Sequence, residues 1–558
     1  MKEKITPFKR LIKLLSLDKK DLYQILFYSI FYGFVSLSLP LGIQSIINLI
    51  QGGRVSLSWI VLVLVVVIGV IFLGILQILQ LRITENIQQK IFIRSSFEFA
   101  YRFPKFKFHS YYNDHLPELA NRFFDTIGTQ KGVSKLILDY SSAFLQIIFG
   151  LILLSLYHPF FILFGFFLFI LLYFIFRFSF DKGLETSLKE SKFKYKVANW
   201  LQEIAHNHVT FKNNSKHEFA LQRNDYLTDK YLYHRESHFK VLVNQYKQMI
   251  AFKVILTAGL LLVGGFLVIN QQMNIGQFVA AEIIILLVIN SVEKIILGIE
   301  TLYDVLTSIE KIGLVTDLEM EEESTHQPTK DCFYKIQLEL ENIAFKFPDS
   351  KEDILKNIHL TVKPGEKIFL DGVNGSGKTT LLRIIGGLMQ PSKGLFYVND
   401  DSLRKLDLDA YRCQIGMVTS GQALFHGTIL ENITLNDPEI SNERVKEMIQ
   451  VLHLKDFIKA HPNGLDAQVF PDGKLVPSSV AQKIILARVL IKNPKILILE
   501  EPMDHLDTQQ EMEIIDYLTD AKHPWTLLVT SRNNYWKQKS QRLIILEKGT
   551  IVADIKNK

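Results

Sequence analysis

Residues 372–380 read Gly-Val-Asn-Gly-Ser-Gly-Lys-Thr-Thr and fill every fixed position of a G-x-x-x-x-G-K-[ST] pattern. Such a loop is a phosphate cradle. Gly372, Asn374, Gly375, Ser376 and Gly377 let backbone N–H groups wrap an anion at a helix N-terminus, with Thr380 in the first helical turn. Lys378 reaches the β- and γ-phosphates in this pattern, and Thr379 offers its hydroxyl to Mg²⁺. An ordinary Gly-rich turn is the competing reading, and the context opposes it. The run Lys367-Ile368-Phe369-Leu370 reads as a short buried strand, and 381–385 carries helical apolar spacing, so the loop sits between a strand and a helix. The chemistry expected is binding of a nucleoside triphosphate.

The chain that must position this loop has 558 residues, too many for one core, so at least two domains are expected. Hydrophobic residues make up 48%, which points to membrane segments, while 22% charged residues leave material for a soluble domain. A net charge of +6 suits a face near anionic lipid and is too weak and dispersed for a nucleic-acid partner. Cys332 and Cys413 form no ligand spacing and read as reduced bystanders.

In residues 1–20, Lys2, Lys4, Lys9, Arg10, Lys13, Lys19 and Lys20 interleave with apolar residues, the pattern of an amphipathic helix in a lipid interface. The apolar stretch 22–50 is longer than a signal core and lacks a small-residue cleavage site, so it reads as a retained span. Five more stretches, 57–81, 140–157, 160–180, 250–269 and 275–297, are each long enough to cross roughly 30 Å of hydrocarbon as a helix. A six-helix, all-α transmembrane domain is expected over 21–316. The connections 82–139 and 181–249 are long and rich in Lys and Arg, which places them, both termini and the phosphate loop in the cytoplasm, with Arg54 outside. Both keep helical spacing, with turns at 109–114 and 206–214 whose histidines read as solvated, since no Cys or carboxylate cluster completes a ligand set. The acidic, turn-rich residues 317–333 are the expected linker. From 334 to 558, short β-type runs alternate with helices, the pattern of an α/β P-loop nucleotide-binding domain.

Six spans with long intracellular connections and a following P-loop domain resemble the half-transporters of the ATP-binding cassette (ABC) exporter family over nearly the whole chain. Other motifs share the resemblance. Residues 424–433 are similar to the stretch that contacts the membrane domain, and 495–502 to the Walker B strand with its catalytic glutamate. Leu506-Asp507, Leu486-Ala487-Arg488 and the entry to the last span at 276–280 also match. The resemblance implies ATP and Mg²⁺ as cofactors, a second half-transporter subunit as partner, and a multi-pass protein of the plasma membrane, the inner membrane in bacteria. It implies that Glu501 takes the attacking water, that Glu500 joins Thr379 at Mg²⁺ through a water, and that Phe347 stacks on adenine. The turns near 110–118 and 207–216 become coupling helices, and the mechanism becomes ATP-driven alternating access, each ATP site combining one subunit's cradle with the other's signature loop.

Four positions depart from the family's pattern. Ser420 replaces the usual glutamine, with Gln422 two residues on; the signature loop reads Val476-Pro477-Ser478-Ser479-Val480; Glu500 replaces aspartate; and Ser531 replaces the switch histidine. Glu500 keeps its carboxylate. Pro477 removes an N–H, and Ser478 and Ser479 replace glycines that permit close backbone approach. One lost donor to developing charge costs about 2.7–4 kcal/mol, or about 10²–10³ in rate. Weak ATPase activity is expected from the chain alone, and an asymmetric heterodimer is favoured over a slow homodimer.

Polar groups within spans are pathway candidates: Glu282 first, then Gln44 and Asn48, with Glu293 and Lys294 expected to pair with each other. Gln44 and Asn48 also suit an outer-interface position, and Glu282 suits structural pairing equally well. The Phe-rich stretch 160–180 is explained by lipid contact or packing. No peptidase domain precedes the first span, so export coupled to processing is not expected. The cargo stays open among lipid, peptide, drug and protein passed to a periplasmic adaptor. The alternative class is an ATP-binding regulatory or gating subunit with little hydrolysis; an importer is disfavoured by the fused domain order.

Overall fold

The computed structural model describes residues 5–52, 57–112, 115–213, 218–322, 335–348, 350–470, 476–503 and 506–556, with only the backbone of 175, 176, 178 and 179. Arg54, Cys332 and residues 323–333 of the expected linker lie outside these. Two compact units emerge: Met1–Phe106 with Asn113–Glu319, and Lys107–Tyr112 with Met320–Lys558.

The first unit is all helical. Its elements are α1 (Pro7–Ser16), α2 (Lys19–Ser36), α3 (Ser38–Gln51) and α4 (Leu57–Arg102). After α5 (Phe108–Tyr111), which belongs to the second unit, come α6 (Leu116–Ala120), α7 (Asp125–Tyr157), α8 (Phe160–His206), α9 (His208–Asn213), α10 (Glu218–Ile269) and α11 (Ile275–Thr316). The first apolar stretch is two helices because Pro40 lacks the N–H that would bond the Ser36 carbonyl, and proline is tolerated only in a first turn, here that of α3. Asn274 and Gln277 form a reciprocal capping box that starts α11: the Gln277 N–H donates to Asn274 Oδ1 at 2.7 Å and the Asn274 N–H to Gln277 Oε1 at 2.9 Å.

The core of this unit joins α7, α8, α10 and α11 through Ile147, Leu154, Leu168, Phe252, Ile284 and Val288. Glycine sets one approach: a Cβ on Gly183 of α8 would stand 2.2 Å from Tyr303 Cζ of α11. By contrast Val61, Leu64, Ile68, Ile71, Ile75 and Ile78 of α4 are all exposed. A helical stretch apolar all round needs a protein core or hydrocarbon, and these residues of the N-terminal half of α4 have no core around them, whereas Ile83, Ile87 and Ile91 further along are buried.

Among the described residues, five stretches are long and apolar enough to cross a membrane: Lys19–Gln51, Leu57–Lys105, Leu116–Tyr157, Glu218–Ile269 and Ile275–Thr316. The chain is thus a multi-pass membrane protein. The sixth span expected at 160–180 is helical within α8, but its described apolar part, Phe160–Phe174, is too short to join them. Arg177, ion-paired to Asp181 at 3.3 Å, enters its C-terminal end.

Polar residues inside this unit are mostly spent on helix packing. Gln44 Oε1 accepts from the Tyr157 hydroxyl at 2.6 Å, and Asn48 abuts Gly276, where a Cβ would stand 2.3 Å from Asn48 Oδ1. Glu293 pairs at 2.5 Å with Lys253 of α10, not with its neighbour Lys294. Residues adjacent in a helix point about 100° apart, whereas a facing helix brings the ammonium directly opposite.

The second unit is α/β. Its strands and helices, in order, are β1 (Leu338–Phe345), β2 (Leu355–Val362), β3 (Lys367–Asp371), α12 (Lys378–Ile385), β4 (Lys393–Val398), β5 (Asp401–Ser402), α13 (Leu408–Cys413) and β6 (Ile415–Val418). There follow β7 (Gly427–Thr428), α14 (Ile429–Thr434), α15 (Asn442–Val451), α16 (Lys455–Ala460), β8 (Gln468–Val469), α17 (Ser478–Leu490) and β9 (Ile496–Glu500). The last elements are α18 (Thr508–Thr519), β10 (Thr526–Thr530), α19 (Asn534–Lys539), β11 (Arg542–Glu547) and β12 (Thr550–Lys556). The main sheet runs β12-β11-β3-β10-β9-β6, with β11, β3, β10, β9 and β6 mutually parallel and β12 antiparallel at the edge. A second sheet, β2-β1-β4-β5, is antiparallel. Strands β9 and β10 are buried along their full length, as both-face burial of a parallel sheet requires.

Candidate functional site

Open parallel sheets bind ligands beyond the carboxyl ends of their strands, and here four such ends converge in sequence on the expected residues. β3 leads into loop 372–377 and α12, β9 ends at Glu500 with Glu501 following, β10 leads to Ser531, and β6 leads to Ser420.

Three glycines of the loop hold positive φ: Gly372 at 146°, Gly375 at 81° and Gly377 at 103°. At Gly377 a Cβ would also stand 2.7 Å from Leu355 Cδ2, so both conformation and space demand glycine. Lys378 folds over the loop, its Nζ donating to the carbonyls of Gly372 at 2.5 Å and Val373 at 3.2 Å. Thr379 donates from its hydroxyl to Glu500 Oε1, and the other oxygen of Glu500 accepts the Ser420 N–H at 3.3 Å. Glu501 has φ 44°; its N–H donates to the Thr530 carbonyl at 2.9 Å, and its carboxylate accepts the Arg532 N–H at 3.1 Å. That backbone tether sits one residue beyond Ser531, whose own hydroxyl oxygen caps the local turn by accepting the Asn533 N–H at 3.1 Å.

The residues fit a magnesium nucleotide. Ser376 Oγ is buried without a hydrogen-bond partner in the loop, and Gly372, Gly375 and Gly377 hold the positive φ such a cradle requires. The Lys378 ammonium is held in place by two carbonyl bonds that a phosphate can replace. Beside the loop, Asp371 accepts the Gly372 N–H at 2.7 Å and pairs with Lys537 at 2.9 Å. Burial alone would raise this carboxyl, but these bonds outweigh it and hold it below the usual range. Lys367, at the start of β3, is pushed down to about 8 by burial, its Nζ capped by the carbonyls of Trp525 at 2.6 Å and His523 at 3.1 Å.

Hydrogen bonds thus join Lys378 to Gly372, and Glu500 to both Thr379 and Ser420, while Glu501 follows Glu500 in the chain and is bonded to Thr530 and Arg532. Gln422 instead is exposed, its amide donating to the Met417 carbonyl at 3.3 Å. Phe347 is already engaged: its ring stacks on Tyr112 at 4.9 Å and 20°, and meets Phe345 edge-on at 5.0 Å. Ser478 and Ser479 open α17, where Pro477 is the N-cap and makes no side-chain cap. Among the described residues no hydrogen bond joins either serine to residues 372–380. Sequence reasoning missed Ser420's main-chain role and the bidentate clamp of Glu321 by Arg412, at 2.5 and 2.6 Å, with Arg412 also donating to the Gly387 carbonyl. The paired charges of the latter lie 91 residues apart and leave no local pattern.

Geometry of this kind defines a P-loop nucleotide-binding domain. Residues 355–504 match the family model described as ABC transporter. An ATP-dependent lipid A-core flippase of Desulfotalea psychrophila is 28% identical over 297 residues, 53% of this chain and 52% of that one. The exotoxin translocation ATP-binding protein PaxB of Pasteurella aerogenes is 29% identical over 52% of this chain and 40% of its own. The transport/processing ATP-binding protein ComA of Streptococcus pneumoniae (strain ATCC BAA-334 / TIGR4) is 27% identical over 60% of this chain and 46% of its own. The chain spans about half the length of the curated relatives it matches. In fold it is similar to a bacterial Atm1-family ABC exporter solved with ATP bound, at TM-score 0.85 and 16% identity, over 96% of this chain and 95% of that one. A helical membrane unit fused to one nucleotide-binding unit is the fold of an ABC exporter half-transporter.

Proposed function

We propose that this chain is one half of an ATP-driven exporter that works by alternating access, with ATP and Mg²⁺ held at loop 372–380. The observation that carries the reading is the convergence of Lys378, Thr379, Glu500 and Glu501 at the ends of β3 and β9, in a chain whose other unit is built of membrane-length helices. Glu501 orients and deprotonates water, Lys378 and the loop N–H groups neutralise phosphate charge, and Thr379 and Glu500 hold the metal. Phe347 stacks on adenine after Tyr112 moves aside. Magnesium supplies charge neutralisation at the β- and γ-phosphates when bound.

The working unit in this proposal is an asymmetric heterodimer in the plasma membrane, the inner membrane of a bacterium, with both termini cytoplasmic. Its partner supplies an intact signature loop to the site built on Lys378 and Glu501. Pro477 as the uncapped N-cap of α17 supports a site across the dimer that holds ATP and seldom hydrolyses it. The relatives' printed cargoes differ at similar identity, lipid A-core in one and an exotoxin in another, so resemblance selects no cargo. The second reading, a nucleotide-binding regulatory subunit, draws on the same α17 terminus. Turnover of the purified chain in lipid, alone and with candidate partner subunits, separates them: stimulation by a partner supports the heterodimer, and fast turnover alone sinks it.

A further inference from the structure

The acidic residues of α11 share one side of the helix. Glu282, Glu293, Glu300 and Asp304 are spaced by 11, 7 and 4 residues. At 3.6 residues per turn all four fall within about 40° of one another, along about 33 Å of helix. The packed side, with Ile284, Val288, Val292 and Ile299, lies opposite. Glu293 is spent on Lys253. Glu282, half-buried, and Glu300 and Asp304, both exposed, make no hydrogen bond or ion pair among the described residues. Glu282 falls within the span expected at 275–297, where an unpaired carboxylate faces water rather than hydrocarbon.

Where this side of α11 meets α7 and α8 there is a polar cavity of about 350 Å³, its wall including Asp125, Glu190, Ser191, Lys194, Asp304 and Thr307. We propose that this cavity is a cargo subsite for an organic cation, an ammonium or guanidinium group held by Asp304. The inference rests on the exporter reading and adds to it the charge of the cargo. Every other charge on the wall is engaged. Glu190 pairs with Arg235 at 3.2 Å, and Asp125 accepts from the Tyr195 hydroxyl. Lys194 stands 5.4 Å from the centroid of the Tyr195 ring, where Arg122 and Lys311 also gather at 3.5 and 5.6 Å. The cations thus crowd around Tyr195 and Asp125. Lys194 and Arg235 attract Asp304 only from beyond ion-pair distance, against repulsion from Glu300 and Glu190.

Hydroxyls fix the kind of cation. Ser191 is 6% exposed, and its hydroxyl has no hydrogen-bond partner, a state that costs free energy until a ligand or water relieves it. The Ser187 and Thr307 hydroxyls bond each other at 2.8 Å and keep lone pairs for a further donor. An ammonium or guanidinium supplies both the charge that Asp304 lacks and the N–H donors that these oxygens accept. A bare metal ion fits less well, because among the described residues no group of three His, Cys, Asp or Glu side chains is placed to hold one.

Equilibrium binding of radiolabelled agmatine, which carries a guanidinium and an ammonium, tests this without relying on turnover. The full chain is held in vesicles of phosphatidylcholine, whose zero net charge keeps the probe off the lipid, and no nucleotide is added. The expected result is saturable binding displaced by unlabelled agmatine and not by the anion succinate. Asp304→Asn should weaken it about 10–150-fold, and Asp304→Glu, which keeps the charge, should recover most of that loss. Asp304 is exposed, so both variants should fold, and circular dichroism checks that they do. Absence of saturable binding to wild type, or unchanged binding to folded Asp304→Asn, overturns the proposal. Agmatine binding by a chain that binds no ATP would uphold the subsite and overturn the exporter reading instead.

Discussion

Restoring the signature loop tests the asymmetry most quantitatively. The perturbation is Pro477→Ser with Ser478→Gly and Ser479→Gly, which returns a hydroxyl, an N–H and two glycines to the start of α17. Two effects follow from the position. Pro477 is the N-cap and provides no side-chain acceptor, so serine there stabilises the helix terminus by about 0.5–2 kcal/mol. The two glycines offset that gain, since each costs about 0.5–1 kcal/mol within a helix. Stability should therefore move little. Catalysis should move much more, because one restored donor to the γ-phosphate contributes about 2.7–4 kcal/mol, or about 10²–10³ in rate. The assay is steady-state ATP hydrolysis by the chain alone in lipid, with thermal unfolding as the control. An increase near 10² with an unfolding midpoint within a few degrees supports the account. A folded triple variant that turns over no faster than wild type refutes the assignment of the defect to this loop.

Lys378→Met should weaken ATP binding by about 10- to 150-fold, since hydrogen bonds to charged groups contribute about 1.5–3 kcal/mol; titration with a fluorescent nucleotide measures it, and wild-type affinity would contradict the cradle. Arg412 and Glu321 are about one-fifth exposed, between surface pairs worth about 0–1 kcal/mol and buried ones whose breakage costs about 3–5. A double-mutant cycle through Arg412→Met and Glu321→Gln should give a coupling of about 1–3 kcal/mol in the unfolding of the nucleotide-binding unit; coupling near zero counts against the clamp. Lys367 titrates near 8 in the fold, below its usual 10.5, so between these values the unfolded chain binds more protons and stability from this group rises with pH. The unfolding midpoint of wild type relative to Lys367→Met should increase from pH 8 to pH 10, and a flat or falling difference would show that folding does not lower the pKa of Lys367.

What the sequence made legible was whatever depends on short-range order. Residues 367–385 declare a strand, a glycine loop and a helix because each part has its own period, and the structure builds β3, the loop and α12 there. Apolar length likewise announced five helices that the described residues show to be membrane-length, while the stretch 160–180 is helical within α8 and its described apolar part ends at Phe174. Interactions between distant residues were illegible. Glu293 chose Lys253 over its neighbour because a facing helix offers better geometry than adjacent positions on one helix. Lys107–Tyr112 grouped with the nucleotide-binding unit although its local pattern only marks a turn. Within the site, the P-loop residues and the two glutamates are legible as motif positions, yet the reach of Glu500 to Thr379 depends on β9 lying beside the start of α12, which no local spacing encodes.

The central claim is that Glu501 and the residues around Lys378 turn over ATP, slowly in this chain alone. Mg²⁺-dependent ATP hydrolysis by the purified chain in lipid, compared with Glu501→Gln under conditions where both bind ATP, tests it directly. The account predicts saturable ATP binding in both, weak turnover in wild type and none above background in the variant. Equal turnover in the two would contradict it, and efficient turnover by wild type alone would remove the asymmetric pairing.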